Sequence, residues 1–316
     1  MVAVFATVAV GSAGCGSSGG DAGPSGSSTS QATSHAAPAP TAGCAQTPPA
    51  LPANATTIPV PEATIAVDDP GAEQRRTVEL RPTQTSAYTL FTNSLQVSMV
   101  SGEQPSGGNR DVTLPIVAQP TCADPLDVYL YMGAPSSTDA AATTALAPQD
   151  GQLARVRLTA GGEVRSFTIA APPGIAPEAQ SMFEQALLHT FLRTIPAPAE
   201  PVGAGARWTV TRTIRAETDL TQVMKVSLGG TVERPTVSAV VDEEPNGSLF
   251  RVPDSNTTLT IESYTMAGNG SATIDPARAF PLDGGVQLQG GRTLIGDDAA
   301  RKLTQRTGSV YRWTTR

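Results

Sequence analysis

From about residue 60 to its end, the sequence consists of short runs in which apolar and polar residues alternate, separated by turn residues. Alternation with a period of two places the apolar side chains on one face of an extended strand. Three pairs of runs flank glycine-containing turns at 160–163, 229–230 and 267–270, and therefore predict β-hairpins. The pattern predicts a mainly β (α+β) domain over residues 60–316, with its strands in an antiparallel meander.

One segment departs from this alternation and predicts a helix near residues 177–195. Pro177 stands at an early helical position with Glu178 in the first turn, and Pro196 cannot continue the helix. The large apolar side chains of the segment fall on one half of a helical wheel. They are Phe183, Leu187, Leu188, Phe191, Leu192 and Ile195. One long amphipathic helix among many strands indicates a curved antiparallel sheet, or half-barrel, packed on that helix.

Residues 1–14 predict a signal peptide, and the cysteine that follows predicts a lipid anchor. The apolar run at 1–10 is too short to span a bilayer, because such a helix rises about 15 Å and the hydrocarbon core is about 30 Å thick. Ser12-Ala13-Gly14-Cys15 looks like a lipobox, whose cysteine receives a diacylglyceryl group. No Lys or Arg precedes the apolar run, so we expect translation to start upstream of Met1. A plain secretory signal and a short buried helix are the alternatives.

The residues after Cys15 predict a flexible tether. Residues 16–43 contain only Gly, Ser, Ala, Pro, Thr, Gln, one Asp and one His. Such a stretch cannot bury enough apolar surface to offset its ordering entropy. We therefore expect residues 15–59 to hold the folded domain away from the lipid surface, on the extracytoplasmic side of the cell membrane.

The cysteines divide into one candidate for acylation and one candidate pair. If Cys15 carries the lipid, Cys44 and Cys122 remain, which is an even number in an oxidising compartment. We predict that these two form a disulfide that joins the end of the tether to the domain. Two unpaired thiols are the alternative.

Charge and composition limit the partners of the chain. The net charge of −7 provides no long-range attraction to nucleic acid or to an anionic lipid surface. We therefore expect no nucleic-acid partner, and a membrane association that depends on the lipid. Lys225 and Lys302 are the only lysines, and the abundance of Ala, Pro and Gly resembles the proteins of high-GC actinobacteria.

The sequence contains no arrangement that fixes a catalytic activity, and we predict a protein that is not an enzyme. His35 lies in the tether, and His189 falls on the polar side of the helix. There is no Gly-x-Ser-x-Gly motif, and neither lysine follows a serine by three residues. A hydrolase is the remaining enzymatic alternative.

Metal binding is not indicated either, and we expect no metal ion and no cofactor. The chain has no Cys-x-x-Cys motif and no histidine pair, which are the common zinc patterns. The acidic turn at 242–247 lacks the alternating ligand spacing of a calcium loop.

Glu184 is the one candidate ligand-binding residue of the helix. It falls near the middle of the apolar face, where a carboxylate is costly to bury. It would either meet a polar group of a ligand at the rim of a cavity or bend outward to solvent.

Two motifs of the second half resemble a family of uncharacterised exported bacterial β-proteins. The first is the Pro-Val-x-x-Gly-x-x-Trp run from Pro201 to Trp208, which opens the second half in that family. The second is Gly268-Asn269-Gly270, read as a hairpin and followed by Gly284-Gly285. The resemblance covers roughly residues 150–316 and implies an exported, β-rich envelope protein.

The order of strands, one helix and further strands also resembles the half-barrel lipoproteins that carry lipids across bacterial envelopes. In those proteins a curved antiparallel sheet closes over helices around an apolar cavity. The likeness is one of fold, so no residue role is carried over.

These features lead to two functional expectations. The first is a membrane-anchored lipoprotein that binds a lipid or another apolar envelope component in a half-barrel cavity. The second is a structural or partner-binding accessory protein of the envelope without a ligand cavity. A continuous apolar cavity of roughly 300 Å³ or more beneath the helix would favour the first.

Overall fold

The computed structural model of the chain describes residues 40–231, 234–252, 255–298 and 300–316. The predicted signal peptide, the lipobox with Cys15, and most of the tether lie outside the described residues. Within the described ranges, fourteen strands form one sheet, and two α-helices and a short 3-10 helix accompany it. The prediction of a mainly β domain is confirmed.

The elements lie in the following order. The strands are β1 (Thr56–Pro59), β2 (Ala63–Asp69), β3 (Ser86–Val100), β4 (Ser106–Pro120), β5 (Asp127–Met132), β6 (Leu153–Leu158), β7 (Val164–Ile169), β8 (Arg207–Ile214), β9 (Leu220–Thr231), β10 (Arg234–Pro245), β11 (Leu249–Arg251), β12 (Thr258–Thr273), β13 (Asp283–Ile295) and β14 (Lys302–Thr315). The helices are α1 (Ala140–Leu146), the 3-10 helix Ala147–Gln149, and α2 (Pro177–Phe191).

The sheet consists of two meanders joined at its centre. The strand order is β1-β7-β6-β5-β4-β3-β14-β13-β12-β10-β9-β8-β2, with the short β11 paired to β12 beside this path. All of these pairs are antiparallel. The first meander contains β3 to β7 and the second contains β8 to β14, so the β3–β14 pair connects the beginning of the domain to its end.

The two edges of the open sheet belong to one stretch of chain. Edge strand β1 pairs with β7, edge strand β2 pairs with β8, and only residues 60–62 separate β1 from β2. A connection of this length spans at most about 14 Å. The sheet is therefore strongly curved, because β7 and β8, which lie next to its two edges, both pair with the segment 56–69.

Helix α2 packs on the concave face of this sheet. It begins at Pro177 as predicted, but it ends at Phe191, before the predicted end near residue 195. The chain tightens there, because the amides of Arg193 and Thr194 donate to the carbonyls of Thr190 and Phe191 in 3-10 fashion.

The prediction of one long helix is wrong, since the described residues contain two short ones. Helix α1 has seven residues, and Asp139 caps its N-terminus by accepting from the Ala141 amide. Two turns rich in Ala and Thr show no apolar stripe, so α1 gives no periodic signal in the sequence.

Aromatic rings fill the space between α2 and the sheet. Phe191 of α2 lies 5.3 Å from Phe167 of β7, measured between ring centroids, and 6.5 Å from Phe280. Phe280 stacks on Trp313 of β14 at 4.5 Å, and Tyr88 of β3 meets both rings edge-on. Aromatic residues make up only 4% of the chain, and five of them meet at this one place.

The three predicted hairpins have different outcomes. The hairpin around 160–163 is present as β6 and β7. The hairpin of β9 and β10 is also present, but Gly229 and Gly230 lie within β9, opposite Thr236 and Pro235, and do not form its turn.

The third predicted hairpin is wrong, because β12 continues through residues 267–270 and pairs with β13. A Cβ atom on Gly268 or Gly270 would overlap the backbone or side chains of β13. These glycines therefore allow a close approach between two strands of the curved sheet and do not form a turn.

Candidate functional site

A disulfide fixes the first described residues to the sheet. Cys44 and Cys122 are bonded, as predicted, with their Cα atoms 5.0 Å apart. The backbone beside the bridge is paired as well, since the Ala45 amide donates to the Pro120 carbonyl and the Cys122 amide donates to the Ala45 carbonyl. The chain therefore enters the domain at the connection between β4 and β5.

An apolar cavity lies at one end of the curved sheet, between strands β12 to β14 and the segment that follows α2. Its volume is about 50 Å³. Phe280, Trp313, Ala272 and Ile195 contribute to its wall. The Nε1 atom of Trp313 is buried and has no hydrogen-bond partner among the described residues. Since ligand pockets commonly measure about 300–1,000 Å³, this cavity is too small for an acyl chain.

A second depression, lined by apolar side chains and by several polar ones, runs along α2 and is called the α2 groove. On the sheet side, Arg110, Ser94 and Ser309 are direct cross-strand neighbours on β4, β3 and β14. The helix side is the stripe Met182, Gln185, Ala186, His189 and Arg193. The helical rise gives this stripe a length of about 16 Å. The cavity within the groove has a volume of about 70 Å³.

Arg193 lies at the floor of the α2 groove, with 9% of its side chain exposed. Its Nη1 donates to the His189 carbonyl at 3.3 Å, and its Nη2 lies 3.6 Å from Oε1 of Glu243. Its Nε is buried and has no acceptor among the described residues. The guanidinium therefore retains an unused donor that faces no carboxylate at hydrogen-bonding distance.

Tyr311 separates the apolar cavity from the α2 groove, because it lines both. Its hydroxyl donates to the Arg193 carbonyl. Burial raises the pKa of Tyr311, so the hydroxyl stays protonated and acts as a donor at neutral pH.

His189 and Arg110 form the rim of the groove, and both are exposed. The surrounding walls, and then the positive charge of Arg193, lower the pKa of His189, so its imidazole is neutral at pH 7. Arg110 makes no ion pair within the described ranges. The rim thus carries one unpaired positive charge.

A buried polar network connects the floor of the groove to the far edge of the sheet. Arg212 is fully buried, and its Nη2 lies 3.5 Å from Oε1 of Glu163. Its Nη1 contacts Oε1 of Gln222 at 3.2 Å, and Gln222 donates to Glu243 at 2.8 Å. Glu243 in turn lies beside Arg193. Burial lowers the pKa of Arg212, although Glu163 opposes this shift.

The same network ends helix α2. Nη1 of Arg212 donates to the Leu192 carbonyl, and the Tyr311 hydroxyl donates to the next carbonyl, that of Arg193. The last carbonyls of a helix have no partner within it, and cations near this end are favoured by the helix dipole. The network is therefore structural at Arg212, and only its Arg193 end lines a groove.

The predicted ligand residue Glu184 lines neither cavity. It is half-buried, and its Oε1 accepts from Nε2 of Gln180 at 2.5 Å. Gln180 accepts in turn from Gln149 at 2.7 Å. The carboxylate on the apolar face thus belongs to a chain of side chains that joins α2 to the 3-10 helix.

The acidic segment at 242–247 forms the end of β10 and the turn after it. Asp242 and Glu244 are exposed on the outer face, whereas Glu243 is buried on the inner face. Because successive side chains of a strand point to opposite faces, the Glu243 carboxylate lies on the other side of the sheet from those of Asp242 and Glu244. Among the described residues, no three His, Cys, Asp or Glu side chains cluster as metal ligands would.

Helices in the described parts of the chain are all too short or too polar to cross a membrane. No protein-family model matches the sequence. A comparison with curated proteins finds no match either.

Proposed function

We propose that this chain is an extracytoplasmic envelope lipoprotein, anchored through a lipid on Cys15, that binds a partner on its surface and catalyses no reaction. The observation that carries this proposal is the filled interior of the curved sheet. Rings from α2, β3, β7 and β14 occupy the space that a lipid carrier would leave open.

The volumes support a surface-binding role over internal carriage. The two cavities measure about 50 and 70 Å³, and Tyr311 stands between them. Both volumes are several times smaller than common ligand pockets of about 300–1,000 Å³. The accessory protein without a ligand cavity is therefore favoured over the half-barrel carrier.

The disulfide supports the extracytoplasmic location. Bridges between cysteines persist in oxidising compartments and are rare in the cytosol. The bridge Cys44–Cys122 lies where the predicted tether meets the domain. The bridge thus fixes the point of the domain at which the predicted tether is attached.

Carriage of a lipid inside the sheet is the second candidate function. It is favoured by the apolar cavity beside Trp313, whose buried Nε1 lacks an acceptor. A lipid carbonyl or carboxylate would provide one, but Phe280 and its neighbours would first have to move.

Native mass spectrometry of the full chain purified from membranes separates these functions. A surface-binding protein shows the mass of the chain with its anchor and no further component that is lost on denaturation. An additional lipid mass, together with saturable binding of a fluorescent fatty acid, would replace the proposal by internal carriage. The Cys15→Ser variant is the control for anchoring, since it removes the acylated thiol and should appear in the soluble fraction.

A further inference from the structure

We propose that the α2 groove is a binding site for an oxyanion, a phosphate or carboxylate group carried by the partner. The inference rests on the proposed surface-binding function and specifies the chemistry of its ligand. The chain as a whole carries a net charge of −7, so a groove lined by two arginines differs in sign from the average surface.

The first argument is the unused donor at the floor. Nε of Arg193 is buried without an acceptor, and such a group costs about 1–3 kcal/mol. Buried polar groups without a partner are few in native proteins, so each requires a physical explanation. An oxygen of a bound oxyanion would supply the missing acceptor, in a charge-assisted hydrogen bond.

The second argument is the composition of the opposite wall. Arg110, Ser94 and Ser309 form one cross-strand row, and Thr92 lies in the next row of the sheet, beside Tyr311. Hydroxyl groups and a guanidinium are donors suited to phosphate and carboxylate oxygens. The row therefore offers a second cation and several donors on the side facing the helix.

The third argument is the position of the nearby carboxylate. Glu243 is buried and lies beside Nη2 of Arg193, while it accepts a hydrogen bond from Gln222. It thus offsets part of the charge of Arg193 without occupying Nε. Arg110 at the rim has no such counter-ion within the described ranges, so the groove as a whole retains positive charge.

The size of the groove limits what enters it. A water molecule occupies about 30 Å³ in the liquid. The cavity in the groove, at about 70 Å³, therefore has room for one small group. The rest of a longer partner would continue along the stripe of α2, outside the cavity. The inferred ligand is therefore an oxyanionic headgroup or side group.

Nuclear magnetic resonance of the arginine Nε–H groups in the full-length Cys15→Ser variant tests this site. The probes are sodium phosphate, sodium acetate and monomeric dihexanoyl phosphatidylglycerol, each titrated at constant ionic strength. We expect a saturable shift of the Arg193 Nε–H signal. Tighter binding of the short-chain lipid than of phosphate would identify a lipid headgroup as the source, and equal or weaker binding would identify a free oxyanion.

Three variants make the result specific. Arg193→Gln lacks the reporting signal, so its binding is followed by isothermal titration calorimetry; it should be about ten- to a hundredfold weaker, the effect of losing a hydrogen bond to a charged group. Arg110→Gln, at an exposed position, should weaken it about two- to fivefold. Arg306→Gln removes the same charge from the outer face of β14 and should leave binding unchanged.

Two results would overturn the inference. One is the absence of a saturable shift with all three probes. The other is an equal loss of binding in the Arg110 and Arg306 variants, which would indicate attraction by net charge. Neither depends on the mass spectrometry, because that measurement reports on the interior of the sheet and this one on the groove.

Discussion

Arg212 is a cation in a place where a charge is normally unfavourable. It is fully buried on β8, and it lies between Glu163 and Gln222 while donating to the end of α2. Burying two charges costs several kcal/mol for each charge. Their mutual attraction offsets this cost only while both charges are present. The pair is therefore weak evidence for net stability, but removing one member is strongly unfavourable.

We predict that Arg212→Met lowers the free energy of unfolding by about 3 kcal/mol, because it leaves the buried Glu163 with only the half-exposed Arg165, 3.8 Å away, as a counter-ion. The double variant Arg212→Met/Glu163→Gln should recover a part of this loss. Arg157→Met is the matched control, because its ion pair with Asp124 is half-exposed and its second partner, the buried Asp127, keeps Arg155 as a counter-ion. The change should cost at most about 1 kcal/mol. Urea unfolding measures all four proteins, and an equal loss at positions 157 and 212 would contradict the argument.

The position of His189 on α2 could be predicted from the sequence, whereas the buried positions of Arg193 and Arg212 could not. Local periodicity is enough to place a residue on the polar side of an amphipathic helix, so the position of His189 could be predicted. The burial of Arg212 depends on β8 meeting Glu163, which is 49 residues earlier, and Gln222 on the next strand. No local pattern encodes such contacts. The hydrogen bond from Gln180 to Glu184 is likewise a contact that the helical wheel does not predict.

At the level of elements, one carboxylate holds α1 against the sheet. Asp111 of β4 is buried and accepts hydrogen bonds from the hydroxyls of Ser137 and Thr138 and from the Thr138 amide. Those residues directly precede the cap of α1. Burial by itself raises the pKa of Asp111, but the hydrogen bonds outweigh it and lower the pKa below its usual value.

The lowered pKa gives the stability a definite pH dependence. The unfolded-state pKa of an aspartate is about 3.9, so the contribution of Asp111 is complete above this value. It is lost as the pH falls through the lower folded-state pKa, where both states bind the proton. We predict that Asp111→Asn lowers the free energy of unfolding by about 2 kcal/mol at pH 7 and flattens its fall in acid.

The measurement is urea unfolding between pH 7 and pH 2.5, combined with hydrogen exchange of the amides in α1. Faster exchange in α1 than elsewhere would show local detachment. Asp139→Asn keeps an N-capping side chain and is the control, which should lower the free energy of unfolding at pH 7 by less than Asp111→Asn does. Identical pH curves for the Asp111 variant and the unmodified protein would contradict the prediction.

Turn residues predicted some connections correctly and others wrongly for a physical reason. Gly162 has a positive φ and turns the chain between β6 and β7, so its sequence signal and its role agree. Gly268 and Gly270 stand inside β12, where the absence of a side chain lets β13 approach. Glycine satisfies both needs equally, and only the partner strand, which lies elsewhere in the sequence, distinguishes them.

For the molecule as a whole, the disulfide encloses the first part of the domain. The bridge closes a loop with a sequence separation of 78 residues, which contains β1 to β4. We predict that Cys44→Ser/Cys122→Ser lowers the free energy of unfolding by about 4 kcal/mol, because loop closure no longer restricts the unfolded chain. Denaturant unfolding with and without reductant measures the change. An intact mass unaffected by reductant under alkylation would show that the bridge does not form.

A mainly β chain with a curved sheet was predictable from alternation and from one amphipathic helix, whereas the order of the strands was not. The central pair joins β3 to β14, at opposite ends of the domain, and no local signal connects them. The volume left empty inside the sheet could not be predicted from the sequence either. It depends on Phe280, which lies in an irregular segment between β12 and β13, reaching the rings of Phe191 and Trp313.

The position of the bridge also determines how the molecule would respond to tension. A pull arriving from the N-terminal side passes at Cys44 into a covalent bond and reaches the connection between β4 and β5 directly. The segment 56–69, which lies along both β7 and β8, belongs to the closed loop and bears none of that force. The segment that contains both edge strands is thus shielded from the force along the chain, although it precedes the strands that bear the load.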